Sequence, residues 1–261
     1  MSGSQPVFSG NRSKLIALWL LAGWVTAHAQ DPFEIHVYEY ETLKPAEFTL
    51  EQHLNYWAVG SKQFDGTVAP TNDQLHMTYE LTGGITDQIS LGFMELNAVR
   101  PGGSGLEYAG WRVLPHFYVP KDWHLPFDAG LVVEFSFVRP TYAADSGHVE
   151  VRPILERRWG SFQFDFNPVL ARSFHGPGVR DGWEFEPAAR VAYGDSDVMR
   201  VVPYLEWYSE LGSQKVQQFF PGVDLKLREN LLWSLGVGVG ATSVEPRLVY
   251  KSRLEFSFGR R

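Results

Sequence analysis

The sequence predicts an all-β protein: a transmembrane, antiparallel up-and-down β-barrel of about twelve strands behind a cleaved N-terminal signal peptide. Three observations predict it. Between Ala46 and Phe258 the chain alternates apolar and polar side chains over short segments, again and again, with a turn after each. An export leader precedes them, and no stretch after residue 30 approaches the roughly 20 apolar residues that a spanning helix needs. Aromatic residues make up 15% of the chain, as girdles at two membrane–water interfaces require. A strand turns successive side chains to opposite faces, so such segments carry one oily face for lipid and one polar face for a lumen.

The leader comes first. Arg12 and Lys14 precede the apolar run Leu15 to Val25, which ends in the A-x-A site Ala27-His28-Ala29. Cleavage after Ala29 is expected. The organisation read from the sequence is therefore a signal peptide over 1–29, a periplasmic N-terminal segment over 30–45 and the barrel over 46–261. Residues 31–45, DPFEIHVYEYETLKP, are acidic and aromatic and end at Pro45. They read as a periplasmic extension or a plug-like strap, and the sequence leaves open whether they enter the barrel.

The expected strands are 46–58, 70–82, 88–99, 106–119, 125–139, 147–158, 161–174, 181–194, 198–211, 215–228, 231–243 and 246–258. The last is the clearest: Leu248, Tyr250, Leu254, Phe256 and Phe258 share one parity, and Lys251, Arg253, Glu255 and Ser257 the other. Phe162, Phe164 and Phe166 likewise oppose Gln163, Asp165 and Asn167. The segment 88–99 fits least well, because Met94 and Leu96 fall on the water side. An even strand count puts both barrel termini on the periplasmic side. Gly83-Gly84-Ile85-Thr86-Asp87 is then the first periplasmic turn, and the segments after residues 58, 99, 139 and 174 supply longer outer loops.

Six expected strands each carry a proline on the apolar parity: Pro115, Pro153, Pro168, Pro187, Pro203 and Pro221. Proline cannot donate to a ladder and is usual at edges and bulges. The ring of prolines therefore predicts bulges at one height of the wall.

Charge and composition exclude several classes. Removing Arg12 and Lys14 from the formal charge of −7, with no acid before Asp31, gives −7 − 2 = −9 for the processed chain. Nucleic-acid binding, which needs a basic stripe, is not expected. Cysteine is absent, so no disulfide framework holds the chain. No H-E-x-x-H, calcium-loop spacing or phosphate-binding glycine loop occurs, so no cofactor or metal is expected. The histidines are scattered with no G-x-S-x-G around a serine, so no enzyme is expected either.

The leader, the segment Leu81-Thr82-Gly83-Gly84-Ile85-Thr86-Asp87-Gln88-Ile89-Ser90-Leu91-Gly92 and the aromatic final strand together resemble the outer-membrane β-barrel proteins of Gram-negative bacteria. Within that class the chain looks most like the transporter-like barrels grouped with the MetA-pathway phenol-degradation family. The resemblance covers about residues 46 to 258. It implies residence in the outer membrane and two partners, outer-membrane lipid and the barrel assembly machinery during biogenesis. One departure stands out: Gly259-Arg260-Arg261 follow Phe258, where such barrels usually end on the aromatic residue itself.

Parity assigns a candidate lumen lining: His53, His76, Arg112, His116, Glu134, Arg152, Asp165, Glu184, Glu186, Arg190, Glu206, Lys226 and Arg253, with Glu80, Glu150, Asp224, Arg228, Lys251 and Glu255 on the same faces. Twelve strands close at a backbone radius of roughly 12 Å, about half of which long side chains consume. The expected function is a passive channel for small polar or amphipathic solutes. The alternative is a non-conducting structural or adhesion barrel with a filled lumen; a lipid hydrolase in the membrane is a more distant reading.

Overall fold

The computed structural model describes residues 31–196, 198–211, 216–242 and 247–259; the leader expected over 1–29 lies outside them. The strands are β1 (Glu47–Val59), β2 (Gln74–Thr86), β3 (Ile89–Val99), β4 (Leu106–Tyr118), β5 (Asp128–Val138), β6 (Gly147–Trp159), β7 (Phe162–His175), β8 (Glu184–Tyr193), β9 (Val201–Glu210), β10 (Val216–Arg228), β11 (Leu231–Gly240) and β12 (Leu248–Gly259). Each pairs antiparallel with its chain neighbours, and β1 pairs with β12, which closes the cylinder and removes every sheet edge. Single helical turns at Lys121–Trp123 and Pro177–Arg180 lie in connections. Each expected strand is present.

The alternation decides which way each side chain faces. Phe93, Phe135, Phe164 and Phe256 lie exposed on the exterior, while their neighbours Met94, Glu134, Asp165 and Glu255 are buried inside. Exterior rings meet across strands: Phe93, Trp111, Phe137 and Phe174 form a row with successive centroid separations of 6.3, 4.4 and 5.5 Å. Trp57, Tyr142 and Tyr208 are buried within the barrel and belong to no exterior girdle. Trp57 follows the exterior Tyr56, and adjacent strand residues cannot share a face.

The largest boundary difference is in β2. The turn expected at 83–87 is confined to Asp87 and Gln88, and the strand runs on to Thr86. Gly83 and Gly84 serve a close approach rather than a turn: a Cβ on Gly84 would collide with the carbonyl oxygens of Leu43 and Lys44. The register shifts between Gly84 and Thr86 as the incoming chain passes over, and the Ala46 amide donates to the Gly84 carbonyl.

The expectation of bulges at the prolines is overturned. The register runs unshifted past all of them. Each proline instead pairs on one side and leaves a gap on the other. Pro115 faces Leu91 of β3, Pro153 faces Leu131 of β5, and Pro221 faces Leu205 of β9. The paired residues then skip these positions on the opposite flank, toward β5, β7 and β11. Pro168 and Pro187 face each other. Pro203 faces Val223, and the β8–β9 ladder begins only at Ala188 and stops at Tyr204. A strand residue's single N–H serves one neighbour only, so a proline weakens one ladder and spares the other.

The ends of the barrel differ. Two-residue turns at 87–88, 160–161 and 229–230 mark one end, with the start of β1 and the end of β12. Loops 60–73 and 139–146 mark the other and touch: the Ala69 amide donates to the Thr141 carbonyl, and the Thr67 hydroxyl to the Pro140 carbonyl.

Candidate functional site

Residues 31–43 thread the lumen. They belong to no strand, yet Phe33, Glu34, Ile35, Val37 and Tyr38 are buried. The strap begins near the long-loop end, where Phe33 meets His76 and Tyr142 at centroid separations of 4.8 and 6.1 Å. It ends near the short turns, where the Tyr40 hydroxyl donates to the Val119 carbonyl at 2.7 Å.

The wall replaces the ladder the strap lacks. Asn55 of β1 donates to the Pro32 carbonyl at 3.0 Å, Thr78 of β2 to the Phe33 carbonyl at 2.8 Å, and Lys251 of β12 to the Ile35 carbonyl at 3.2 Å. Asn167 of β7 donates to the Tyr38 carbonyl at 3.0 Å, and Glu156 of β6 accepts from the Tyr40 amide at 2.9 Å. A buried backbone group without a partner is costly, so these side chains permit a bare chain to sit inside.

Ion pairs supply the second set of contacts. Arg112 of β4 pairs with Asp31 and, at 3.4 Å, with Glu34; its Nε lies 3.2 Å from Glu134. Arg152 of β6 lies 3.8 Å from Glu34 and places its guanidinium 4.7 Å from the centre of the Tyr38 ring. Arg190 of β8 lies 3.1 Å from Glu39. Burial pushes Glu34 up to about 7; Arg152 and Arg112 pull it down, and Glu134 adds to the rise. Burial holds His36 well below the ordinary histidine value, helped by Arg253, His53 and Lys251.

Apolar contacts flank the strap. Phe33 and Tyr38 pack with Met94, Leu96, Leu114 and Ile154, and Ile35 and Val37 pack with Trp57, Tyr208 and Phe220. This accounts for Met94 and Leu96 on the inner parity of β3: a segment of the chain covers them, not water.

The sequence-derived lining residues take three positions. His53, His76, Arg112, His116, Glu134, Arg152, Asp165, Arg190 and Glu206 are buried within the barrel. Of these, Arg112, Arg152, Arg190, His76 and His116 touch the strap directly, the last through Tyr38. Arg253, Glu186 and Lys226 are partly exposed, and Glu184 is exposed at the rim. Asp165 lies 3.4 Å from Arg190, Glu206 pairs with Lys251, Arg253 lies 3.1 Å from Glu51, and Lys226 lies 3.2 Å from Glu229. Sequence reasoning passed over Glu51 and Asn55, and it set Thr78 and Gln163 on the polar parity without counting them in the lumen lining. Glu51 and Asn55 share the parity of His53 and were legible from it. The acids of the strap, Asp31, Glu34 and Glu39, carried a signal too, since they complement the inward arginines.

A polar cavity of about 310 Å³ remains beside the strap, toward the short-turn end. Glu39, Glu51, Glu80, Glu156, Asp224 and Glu255 face it, against Arg158, Arg190, Lys226 and Arg253. At the other rim the Ser146 hydroxyl lies 2.6 Å from His175 Nδ1. Asp145 beside it is engaged by Ser173 and Gly178 at 2.7 and 2.8 Å, rather than orienting the histidine as an acyl-transfer site requires.

No family model matches the chain, so the narrower likeness to the MetA-pathway group finds no support there, and no curated protein matches it. Among solved structures it is similar to the KdgM porin, at TM-score 0.55 and 8% identity, over 80% of this chain and 99% of that one. It is also similar to an outer membrane channel from Pseudomonas putida F1, at TM-score 0.54 and 10% identity, over 86% of this chain and 100% of that one. At these identities the likeness is one of fold: the chain has the closed, antiparallel architecture of outer-membrane β-barrels.

Proposed function

We propose that the protein is an outer-membrane channel for small polar or amphipathic solutes, held closed in this conformation by its own residues 31–43. One observation carries the reading: the strap is held by side chains and joins no strand ladder, so it can leave without opening the sheet. What it would vacate is a wall of charged and polar groups, as a solute path requires. The apolar exterior fits contact with outer-membrane lipid, and insertion there by the assembly machinery follows from the same reading. The acid-rich cavity favours neutral and cationic solutes over anionic ones.

Planar-bilayer recording tests this. The refolded intact chain should open rarely, and the chain lacking 31–43 should conduct steadily with cation preference. Glu134→Gln and Glu186→Gln in the shortened chain should reduce that preference. A second reading, a filled structural barrel, draws on the apolar seal of Phe33, Met94, Leu96 and Tyr142. A folded but silent deletion variant would establish it instead.

A further inference from the structure

We propose that Glu51, His53 and Glu80 form a binding site for one divalent transition-metal ion, of the zinc type, on the inner wall of the barrel. The proposal does not depend on conduction. Glu51 and His53 are two apart on β1 and face inward together, and the register sets Glu51 directly opposite Glu80 of β2. One donor atom from each residue lies within 4.8 Å of the others, and all three residues are buried. The donors stand on two paired strands of a closed wall, which fixes their spacing better than a loop does.

The imidazole points to a ligand. His53 is 1% exposed, and its buried Nε2 makes no hydrogen bond among the described residues. It is aimed between the two carboxylates, 3.2 Å from Glu51 Oε2 and 3.9 Å from Glu80 Oε2. Donors around a tetrahedral zinc ion, with bonds near 2.0–2.2 Å, stand roughly 3.3–3.6 Å apart, so small side-chain movements suffice. Thr82 donates to Glu80 Oε1 at 2.8 Å, which leaves Oε2 turned toward the histidine, as outer partners of metal ligands do.

Charge and access agree. Glu51, Glu80 and Glu255 face a single guanidinium, that of Arg253, 3.1 Å from Glu51 and 3.3 Å from Glu255. A surplus of negative charge therefore remains for a cation. Glu51 and Glu80 line the 310 Å³ cavity, which supplies a path and room for a water in the open coordination position. One imidazole with two carboxylates suits zinc and its first-row neighbours better than magnesium or calcium, which prefer all-oxygen shells. The similar group Glu134, His148 and Glu150 is less suited. Arg112 stands 3.2 Å from Glu134 and Arg152 2.7 Å from Glu150, so a guanidinium engages both of its carboxylates, whereas in the first group Arg253 engages Glu51 and leaves Glu80 to Thr82 and the histidine.

Calorimetric titration of the refolded chain with Zn²⁺, repeated with Co²⁺ and read by visible absorption, tests the site. The intact chain should bind one ion, and Co²⁺ should show the spectrum of a nitrogen- and oxygen-ligated centre. His53→Ala and Glu80→Gln should each weaken zinc by about tenfold or more, while His148→Ala should not. Heat-modified gel mobility establishes that each variant is folded, and Glu51→Gln replaces any that is not. Absence of binding to the intact chain, equal binding by the His53 and Glu80 variants, or loss of binding only in His148→Ala would each overturn the proposal.

Discussion

Asn167 and Tyr38 exchange two hydrogen bonds. The Tyr38 amide donates to Asn167 Oδ1 at 2.7 Å, and Asn167 Nδ2 donates to the Tyr38 carbonyl at 3.0 Å. One wall side chain thus gives the strap what a neighbouring strand would give, without enrolling it in the sheet. Asn167→Ala leaves both backbone groups buried without partners, at about 1–3 kcal/mol each. The expected result is at least about a tenfold rise in open probability in single-channel recording. An unchanged open probability would show that this pair does not hold the strap.

Arg112 joins strap and wall. It is fully buried and serves Asp31, Glu34, Glu134 and the Ser136 hydroxyl. Removing one member of a buried ionic group leaves the others uncompensated, at about 3–5 kcal/mol. Arg112→Ala should therefore lower the urea midpoint of the barrel, with Glu134 left beside an empty space. Adding Glu134→Gln should recover part of the loss, because one of the carboxylates that Arg112 served is then neutral. Equal midpoints for the two variants would show that Glu134 does not need its guanidinium.

The wall was legible in the sequence and its contents only in part. Strict alternation in β7 and β12 gave those strands and both their faces, because a one-residue error would move every phenylalanine into the lumen. Gly83 and Gly84 misled, since glycine marks both turns and close approaches, and here it marks the passage of Lys44. The prolines misled for a different reason: their spacing shows that a ladder is interrupted but not whether its register shifts. Met94 and Leu96 were the trace of the strap, apolar residues on a water-facing parity. Nothing in β3 alone says that Phe33 and Tyr38, some sixty residues earlier, share their buried cluster.

Gly84 gives a steric test of the strap's exit. A methyl group there would meet the carbonyl oxygens of Leu43 and Lys44, and such overpacking costs about 1–3 kcal/mol. The chain has no cysteine, so Val37→Cys, at a fully buried position, reports strap release without background. Thiol labelling should be slow in that variant and about tenfold faster once Gly84→Ala is added. Equal rates would mean that the strap accommodates the methyl group without loosening.

Glu34 makes strap seating depend on pH, with a definite sign. Burial raises its carboxyl from 4.5 to about 7, over the opposing pull of Arg152 and Arg112. A group raised on folding contributes stability that is complete below its unfolded value and is lost as pH rises through its folded value. Seating should therefore be tightest near pH 5 and weaken toward pH 8, as Glu34 ionises in a buried place. Open probability should rise over that window in the native chain, and Glu34→Gln, which keeps the shape and cannot ionise, should flatten the rise. The difference between the two profiles reports Glu34 together with the neighbours whose titration it shifts, Glu80 among them. Parallel profiles would place the pH response elsewhere.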